Sequence, residues 1–207
     1  MSNHYYYEKQ EDLHSNPNSF DFYFRNEHFK FHTDDGVFSK GYIDYGSFAL
    51  LKAFVPNSLE NPVLDMGAGY GPLGIVISRL YHKEIYQCEI NERAYHLMIK
   101  NIQENQCENI HPFHSNLYEA LPEGIIFSSI VTNPPIRAGK QIIYAIYEGA
   151  YDRLSDGGEL WVVIQKKQGA PSSKTFIENL FGNCSIIARD KGYYILKAVK
   201  EETKTTE

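Results

Sequence analysis

The chain of 207 residues is 43% apolar and carries a formal net charge of −6, which is enough apolar material for one medium-sized domain with a substantial core. No segment approaches the roughly 18 to 20 consecutive apolar residues of a membrane span, and the polar, tyrosine-rich start lacks the apolar centre of a secretory signal. The sequence therefore argues against a membrane or secreted protein, and we expect a cytoplasmic one.

Alternating aromatic residues predict a β-hairpin near the N-terminus, with strands around Phe20–Phe24 and Phe29–Phe31. A turn-rich loop follows at 33–41, and a helix is expected from about Tyr45 to Phe54. This extension, residues 1–55, precedes a core at 56–199, and the charged tail 200–207 is expected to fray. The whole chain is interpreted as a single domain.

The core alternates between short apolar runs and amphipathic segments, which predicts strands separated by helices. The pattern favours an α/β fold with a Rossmann-like, doubly wound, seven-stranded and mostly parallel sheet. Strands are expected at Val63–Met66, Ile85–Glu89, Ile110–His114, Ile125–Thr132, Leu160–Ile164, Ser185–Ala188 and Tyr193–Val199. Helices are expected at Leu73–Tyr81, Glu92–Asn105, Gln141–Leu154 and Lys174–Phe181, with Asn91 and Ser173 as caps.

Cysteine and histidine spacing gives no sign of disulfides or of a metal site. Cys88, Cys107 and Cys184 lack paired or metal-like spacing. His111 and His114 lie close together but without further candidate ligands. We therefore expect free thiols, structural histidines and no bound metal.

A glycine-rich turn, Gly67-Ala68-Gly69-Tyr70-Gly71-Pro72, follows the strand predicted at Val63–Met66. Its glycines allow a sharp turn and close approach of a ligand to the backbone, and Pro72 suits the first turn of the next helix. The segment resembles the first motif of class I S-adenosylmethionine methyltransferases. Asp65 would organise this turn or bind the methionine ammonium, unless it only caps nearby backbone N–H groups.

A nicotinamide site is the rival interpretation, because Gly69-Tyr70-Gly71-Pro72-Leu73-Gly74 also satisfies the G-x-G-x-x-G pattern. However, its first glycine lies several residues beyond the strand, and no hydride-transfer site is evident. Glu89 ends a later apolar run and could accept hydrogen bonds from both hydroxyls of a ribose. Its counterpart does so in class I methyltransferases, which we therefore favour.

Asn133-Pro134-Pro135 follows the buried strand predicted at Ile125–Thr132, so it should lie at the carboxyl edge of the sheet, where α/β proteins bind ligands. The asparagine oxygen and the proline-rich backbone offer acceptors with few donors. Two acceptors on a conjugated NH2 group would favour its tetrahedral, nucleophilic form. The loop predicts amine methylation, although alone it could equally be an Asn-Pro turn.

Four motifs in a fixed order make the resemblance more specific. They are Gly36-Val37-Phe38-Ser39, Asp44-Tyr45-Gly46-Ser47, the glycine-rich turn and the segment Asn133–Lys140. Between about Phe20 and Val199 the chain resembles the short, single-domain form of the ribosomal RNA small subunit methyltransferase C family. The resemblance implies methylation of a guanine N2 amine in small-subunit (16S) rRNA, with S-adenosyl-L-methionine as cofactor. The implied partner is that rRNA or an assembling small ribosomal subunit, not DNA.

The same resemblance assigns roles to individual residues. Catalysis would involve Asn133, Pro134 and Pro135. Cofactor contacts would come from Asp65, Gly67, Ala68, Gly69, Gly71, Glu89, Ile90, Asn116 and Asn133, and substrate contacts from Phe38, Ile136, Arg137, Lys140, Lys166 and Lys167.

Some of these assignments have plain structural alternatives. Ser115-Asn116 could be just a turn. Phe38 could belong to the core instead of stacking on a base, and Tyr70 could stack on a base or cover the cofactor. Ile136 stands where many Asn-Pro-Pro methyltransferases have an aromatic residue that stacks on the substrate. The resemblance also leaves out most of the N-terminal half that full-length family members carry, so we expect RNA docking to be arranged differently.

The net charge disfavours an RNA partner, because affinity for nucleic acid depends on Lys and Arg at phosphates. Basic residues are nevertheless expected at the carboxyl edge of the sheet: Arg137, Lys140, Lys166, Lys167 and Lys174. Each could be an ordinary surface residue. Methylation of adenine N6 or of a protein glutamine amide, and a non-catalytic scaffold that binds cofactor or RNA, remain alternatives, and the sequence does not predict an oligomeric state.

Overall fold

The computed structural model describes residues 15–37, 39 and 41–202, so Phe38 and most of the predicted frayed tail lie outside the described residues. In chain order the strands are β1 (Asn18–Phe24), β2 (Glu27–Thr33), β3 (Val63–Met66), β4 (Ile85–Glu89), β5 (Ile110–His114), β6 (Phe127–Thr132), β7 (Leu154–Gln165), β8 (Ser185–Asp190) and β9 (Tyr193–Val199). The helices are α1 (Tyr45–Ala53), α2 (Pro72–Tyr81), α3 (Glu92–Glu104), α4 (Lys140–Arg153) and α5 (Ala170–Phe181), and single 3-10 turns occur at Ile136–Ala138 and Lys166–Gln168.

The main sheet has seven strands in the order β5-β4-β3-β6-β7-β9-β8. Strands β3 to β7 pair in parallel, and β9 pairs antiparallel with both β7 and β8. The chain moves outward from β3 to β5 and then returns to the other side of β3 as β6. The carboxyl ends of β3 and β6 therefore flank a topological switch point, where ligands bind in open α/β sheets.

The predicted fold class is confirmed, and β3, β4, β5 and β9 have the predicted bounds. Strand β7 begins earlier than predicted, at Leu154, directly after α4. Helix α5 also begins earlier, at Ala170, and the expectation that Ser173 caps it was wrong. Ser173 is buried within the helix and its hydroxyl bonds to that of Tyr147.

Two apolar layers cover the faces of the sheet. Helices α1, α2 and α3 bury aliphatic and aromatic side chains on one face, including Leu50 and Ile75. Helices α4 and α5 cover the other face, where Tyr147 and Ile177 are buried. The central strands β3 and β6 are buried along their whole length, as expected for strands with helices on both sides.

The predicted hairpin is present as a separate two-stranded sheet of β1 and β2. Two asparagines of α3 dock it. Asn105 accepts a hydrogen bond from Lys30 N at 3.0 Å and donates one to Lys30 O at 2.9 Å. Asn101 does the same with His32 N and O at 2.7 and 3.0 Å. These amides satisfy backbone groups at an edge that has no neighbouring strand in the part of the chain that the structure describes.

Three further expectations concern the chain as a whole. Cys88, Cys107 and Cys184 are free and buried. Among the described residues, no group of three or more potential ligands could hold a metal ion. Likewise, no helix in the described ranges is long and apolar enough to cross a bilayer.

Candidate active site

The glycine-rich turn joins β3 to α2, and one side of its backbone faces open space. Gly67, Gly69 and Gly71 all have positive φ, at 74°, 59° and 95°, where L side chains are strained. A Cβ atom added at Gly67 or Gly69 would meet nothing within 4 Å. The turn therefore leaves space over its backbone for a ligand.

Asp65 anchors this turn from below. The side chain is fully buried, and its Oδ2 accepts hydrogen bonds from Gly74 N at 3.0 Å and from Gln87 Nε2 at 2.9 Å. Because Gly74 lies in the first turn of α2, the carboxylate caps a helix start that has no side-chain cap of its own. The bond to Gly74 N is the capping of a backbone N–H group that the sequence left open as the alternative for Asp65, and burial keeps the carboxylate away from the open side of the turn.

Gln87 completes this arrangement and was not anticipated from the sequence. Its Nε2 also donates to Gly71 O at 3.2 Å. A Cβ atom at Gly74 would lie 2.5 Å from Gln87 Nε2, so glycine is needed there for the amide to reach Asp65. The only sequence signal is a polar residue between Tyr86 and Cys88, in the middle of strand β4.

Glu89 lies at the carboxyl end of β4, beside the turn. Its Oε2 accepts from Gly69 N at 2.8 Å and its Oε1 from Asn91 N at 2.7 Å. Burial raises the pKa of Glu89, and these backbone donors oppose that rise. A carboxylate has about four lone-pair sites, so the two oxygens keep capacity to accept from two hydroxyl groups.

Asn133 directly follows β6, at the other side of the switch point. Its Nδ2 donates to Asp44 Oδ1 at 3.0 Å and to Ser47 Oγ at 3.1 Å. Both amide N–H groups are thereby used, and the Oδ1 atom has no hydrogen-bond partner among the described residues. The amide therefore offers a carbonyl oxygen as its remaining functional group.

The residues after Asn133 form a short loop that begins buried and becomes exposed toward α4. Pro134 is buried, and the following 3-10 turn contains Ile136, which packs partly against the apolar layer of α4 and α5. Arg137 and Lys140 are exposed at this turn and at the start of α4. The loop thus combines a rigid acceptor segment with basic residues that face solvent.

A second exposed basic pair follows β7. Lys166 and Lys167 lie in the 3-10 turn at the carboxyl edge of the sheet, and Lys166 N donates to Gly192 O at 2.8 Å. Within the described ranges, no ion pair involves these two lysines, Arg137 or Lys140. Lys174 differs, because it is paired with Glu178 at 2.8 Å. We call the set Arg137, Lys140, Lys166 and Lys167 the basic rim.

Two proposed cofactor contacts lie beside Glu89 in the loops of neighbouring strands. The Ile90 carbonyl accepts from His114 Nε2 at 2.8 Å. Asn116 donates its Nδ2 to Glu119 Oε1 at 2.8 Å within a turn. Its Oδ1 remains available as an acceptor, so both interpretations of Asn116, as a turn residue and as a ligand contact, are compatible with the geometry.

Tyr70 lies elsewhere than expected. It is 3% exposed, and its ring packs edge-on against Phe20 and Phe31 of the hairpin. Its hydroxyl donates to Tyr42 O at 3.2 Å. Tyr70 is therefore a core residue that joins the glycine-rich turn to the hairpin, and the expectation that it stacks on a base or covers a cofactor was wrong.

The comparisons with known proteins agree with this geometry. The family model named methyltransferase small domain matches residues 28–197. A Bacillus subtilis protein designated uncharacterized protein YbxB is 44% identical over 201 residues, which cover 97% of this chain and 100% of that protein. Ribosomal RNA small subunit methyltransferase C of Vibrio cholerae is 33% identical over 170 residues, covering 80% of this chain.

Among solved structures, a T. thermophilus 16S rRNA N2 methyltransferase in complex with AdoMet and guanosine superposes with a TM-score of 0.81 at 28% identity, covering 94% of this chain. The chain spans about half the length of these two methyltransferases, 48% of the Vibrio cholerae protein and 53% of the T. thermophilus chain. The matched half includes the glycine-rich turn, Glu89 and the Asn133 loop.

Proposed function

The chain belongs to the methyltransferase small domain family, and on that premise we propose that it is an S-adenosylmethionine-dependent enzyme that methylates the exocyclic N2 amine of a guanine in small-subunit rRNA. The observation that carries the proposal is the orientation of Asn133, whose amide N–H groups are both engaged by Asp44 and Ser47. An amide held in this way presents an acceptor to an amine.

The residues at the switch point fit the cofactor. S-adenosylmethionine supplies an electrophilic methyl group on a sulfonium when bound. Gly67 and Gly69 leave open space above the turn, where a side chain would otherwise stand. Glu89 is fixed by two backbone N–H groups and has lone pairs left for ribose hydroxyls. The Ile90 backbone and Asn116 lie in the adjoining loops, where they would contact the adenine.

Asn133 and Pro134 would act on the nucleophile. Asn133 Oδ1 and the Pro134 carbonyl oxygen accept hydrogen bonds from the two N–H groups of the amine, which turns its lone pair away from conjugation with the ring. The same oxygens would stabilise the positive charge that the nitrogen gains as its bond to the methyl carbon forms and the carbon–sulfur bond of the sulfonium breaks, with a neutral thioether as the leaving group. The methylated nitrogen then loses a proton to water, and no covalent intermediate on a side chain is required.

The basic rim supports an RNA substrate in spite of the net charge of −6. Its four side chains are exposed, and they border the Asn133 loop and the end of β7. Exposed cations without carboxylate partners can neutralise phosphates and release counterions. Ile136 would cover one face of the guanine without π stacking, and the base must leave its stack to reach Asn133, which costs a few kcal/mol.

Transfer of labelled methyl groups from S-adenosylmethionine tests the proposal. The acceptors are purified small ribosomal subunits, naked small-subunit rRNA and ribosomal protein, all from cells that lack the gene, with Asn133→Ala as the inactive control. We expect label in RNA, recovered as N2-methylguanosine after digestion. Comparison of naked rRNA with subunits then identifies the assembly state that is recognised.

Other distributions of the label would contradict the guanine-N2 assignment. Label in protein would favour a glutamine amide as the acceptor, and N6-methyladenosine would favour adenine. Tight cofactor binding without transfer to any of these acceptors would favour a scaffold.

A further inference from the structure

The motif Asp44-Tyr45-Gly46-Ser47 contacts the Asn133 loop, although 86 to 89 residues separate the bonded pairs. We propose that Asp44 and Ser47 are positioning residues, which fix the side-chain amide of Asn133 with its Oδ1 atom free for the substrate amine. This positioning role depends on the proposed role of Asn133. It gives a function to a motif whose residues are not among the proposed cofactor contacts.

Asp44 determines which way the amide faces. It is the N-cap of α1, and its Oδ1 accepts from Ser47 N at 3.1 Å as well as from Asn133 Nδ2 at 3.0 Å. An ionised carboxylate only accepts hydrogen bonds, so a flipped Asn133 would bring two acceptor oxygens together. Ser47 Oγ accepts from the same nitrogen at 3.1 Å and so uses the second amide N–H group, while the carboxylate of Asp44 determines the orientation.

The other two residues of the motif fix this helix start. A Cβ atom at Gly46 would lie 2.9 Å from Tyr193 Cε1 and 3.0 Å from Asp44 Oδ1. Any larger residue would therefore displace the Tyr193 ring or the Asp44 carboxylate. Tyr45 donates its hydroxyl to Asp190 Oδ2 at 2.7 Å. The first turn of α1 is therefore held against β8 and β9 on one side and against Asn133 on the other.

This arrangement has a chemical consequence beyond geometry. Asp44, the Asn133 amide and the substrate amine would form one chain of hydrogen bonds, with the negative charge at the far end. Hydrogen bonds in a chain polarise one another, so the carboxylate makes Asn133 Oδ1 a stronger acceptor. The positive charge that develops on the amine during methylation is then stabilised more than the neutral amine is.

Four substitutions separate positioning from simple support of the fold. Asp44→Ser keeps a good N-cap but replaces the carboxylate with a hydroxyl, which can donate as well as accept and therefore no longer fixes the orientation of the Asn133 amide. Asp44→Asn keeps both an acceptor and a cap, and Ser47→Ala keeps its capped backbone N–H. Tyr45→Phe is the matched control, because it removes a hydrogen bond from the same helix start without touching Asn133.

We expect kcat for RNA methylation to fall about 10- to 100-fold in Asp44→Ser and in Ser47→Ala, because small displacements of a reacting group are costly. The KM for RNA and the calorimetric Kd for S-adenosylmethionine should change by less than about twofold, because the groups act on the amine in the transition state. Asp44→Asn keeps an acceptor but loses the charge, so its kcat should lie between those of Asp44→Ser and the wild type, whereas Tyr45→Phe should stay near the wild type. Normal kcat in Asp44→Ser, or an equal loss in Asp44→Asn, would overturn the inference.

A second measurement does not depend on the substrate. The side-chain amide of Asn133, assigned in NMR spectra by its disappearance in Asn133→Ala, should show slowed proton exchange in the wild type and faster exchange in Asp44→Ser and Ser47→Ala. Unaltered signals would refute the positioning role. If the wild type fails to methylate RNA while these signals respond as expected, only the guanine assignment fails.

Discussion

Gln87 Nε2 donates a hydrogen bond to Asp65 Oδ2 at 2.9 Å. The two residues are paired neighbours on the parallel strands β4 and β3, and both side chains are fully buried. The Asp65 Oδ1 and Gln87 Oε1 atoms have no hydrogen-bond partners among the described residues. Burial raises the pKa of Asp65 to about 7, and the nearby charge of Glu89 adds to this rise. The anchor of the glycine-rich turn therefore titrates near neutral pH.

This pKa predicts how stability depends on pH. A carboxyl group with a higher pKa in the folded than in the unfolded state binds its proton more tightly when folded, so stability falls as pH rises between the two values. Relative to Asp65→Asn, the wild type should lose stability from about pH 4 to about pH 7. The shift from 3.8 to about 7 corresponds to at most about 4 kcal/mol. Urea unfolding of both proteins across this range measures the difference, and a difference that does not vary with pH would contradict the assignment.

Glu89→Ala should weaken cofactor binding. Loss of two hydrogen bonds to a charged acceptor predicts a Kd for S-adenosylmethionine about 10- to 100-fold higher, measured by calorimetry. Glu84→Ala is the matched control, because Glu84 is an exposed glutamate just before the same strand and pairs with His111. Equal affinities for the two variants would remove Glu89 from the site.

Asn133→Ala should affect catalysis and spare cofactor binding. Loss of an acceptor that acts mainly in the transition state predicts a kcat about 100- to 1,000-fold lower, by analogy with donors of an oxyanion hole. Methyl transfer and calorimetry on the same preparation separate the two effects. Asn179→Ala, on the exposed surface of α5, controls for the substitution itself, and turnover in Asn133→Ala equal to that of this control would disprove the role.

Charge reversal should show whether the basic rim binds phosphates. Lys166→Glu combined with Lys167→Glu should reduce the slope of log K against log salt for rRNA binding by roughly 1.4 to 1.8, about 0.7 to 0.9 for each lost phosphate contact. Reversal of Lys30 and Lys100 changes the net charge equally at β2 and α3, away from the rim. If both double variants shift the slope alike, only net charge matters and the rim has no specific role.

Local sequence patterns predicted the core of the fold well. Buried parallel strands such as β3 and β4 are short apolar runs between turn residues, and Asn91 caps α3 as expected. The start of β7 was missed because Ser155-Asp156-Gly157-Gly158 reads as a turn. In the structure this segment stays in the strand, and Gly157 and Gly158 exchange backbone hydrogen bonds with Lys200.

Long-range contacts could not be predicted from the sequence. Tyr70 is in a ligand-binding motif, yet the hairpin aromatic residues bury it, and only the tertiary structure places those rings there. The bond between Asp44 and Asn133 has the same origin, because spacing along a chain does not encode a contact across 89 residues. The capping of α1 by Asp44 was not anticipated from the sequence either.

The docking of the hairpin on α3 depends on a match between two repeat lengths. Asn101 and Asn105 are four residues apart on a helix, a rise of about 6.0 Å, and their partners Lys30 and His32 are two residues apart on a strand, about 6.6 Å. The two intervals are nearly equal, so both amides can pair at once. A slip of β2 by two residues that placed His32 opposite Asn105 would leave Asn101 beyond the end of the strand. A slip of one residue would turn the buried Phe29 and Phe31 outward. The position of the hairpin along α3 thus depends on nearly equal residue spacings along the helix and along the strand. The same match places Phe20 and Phe31, against which Tyr70 packs.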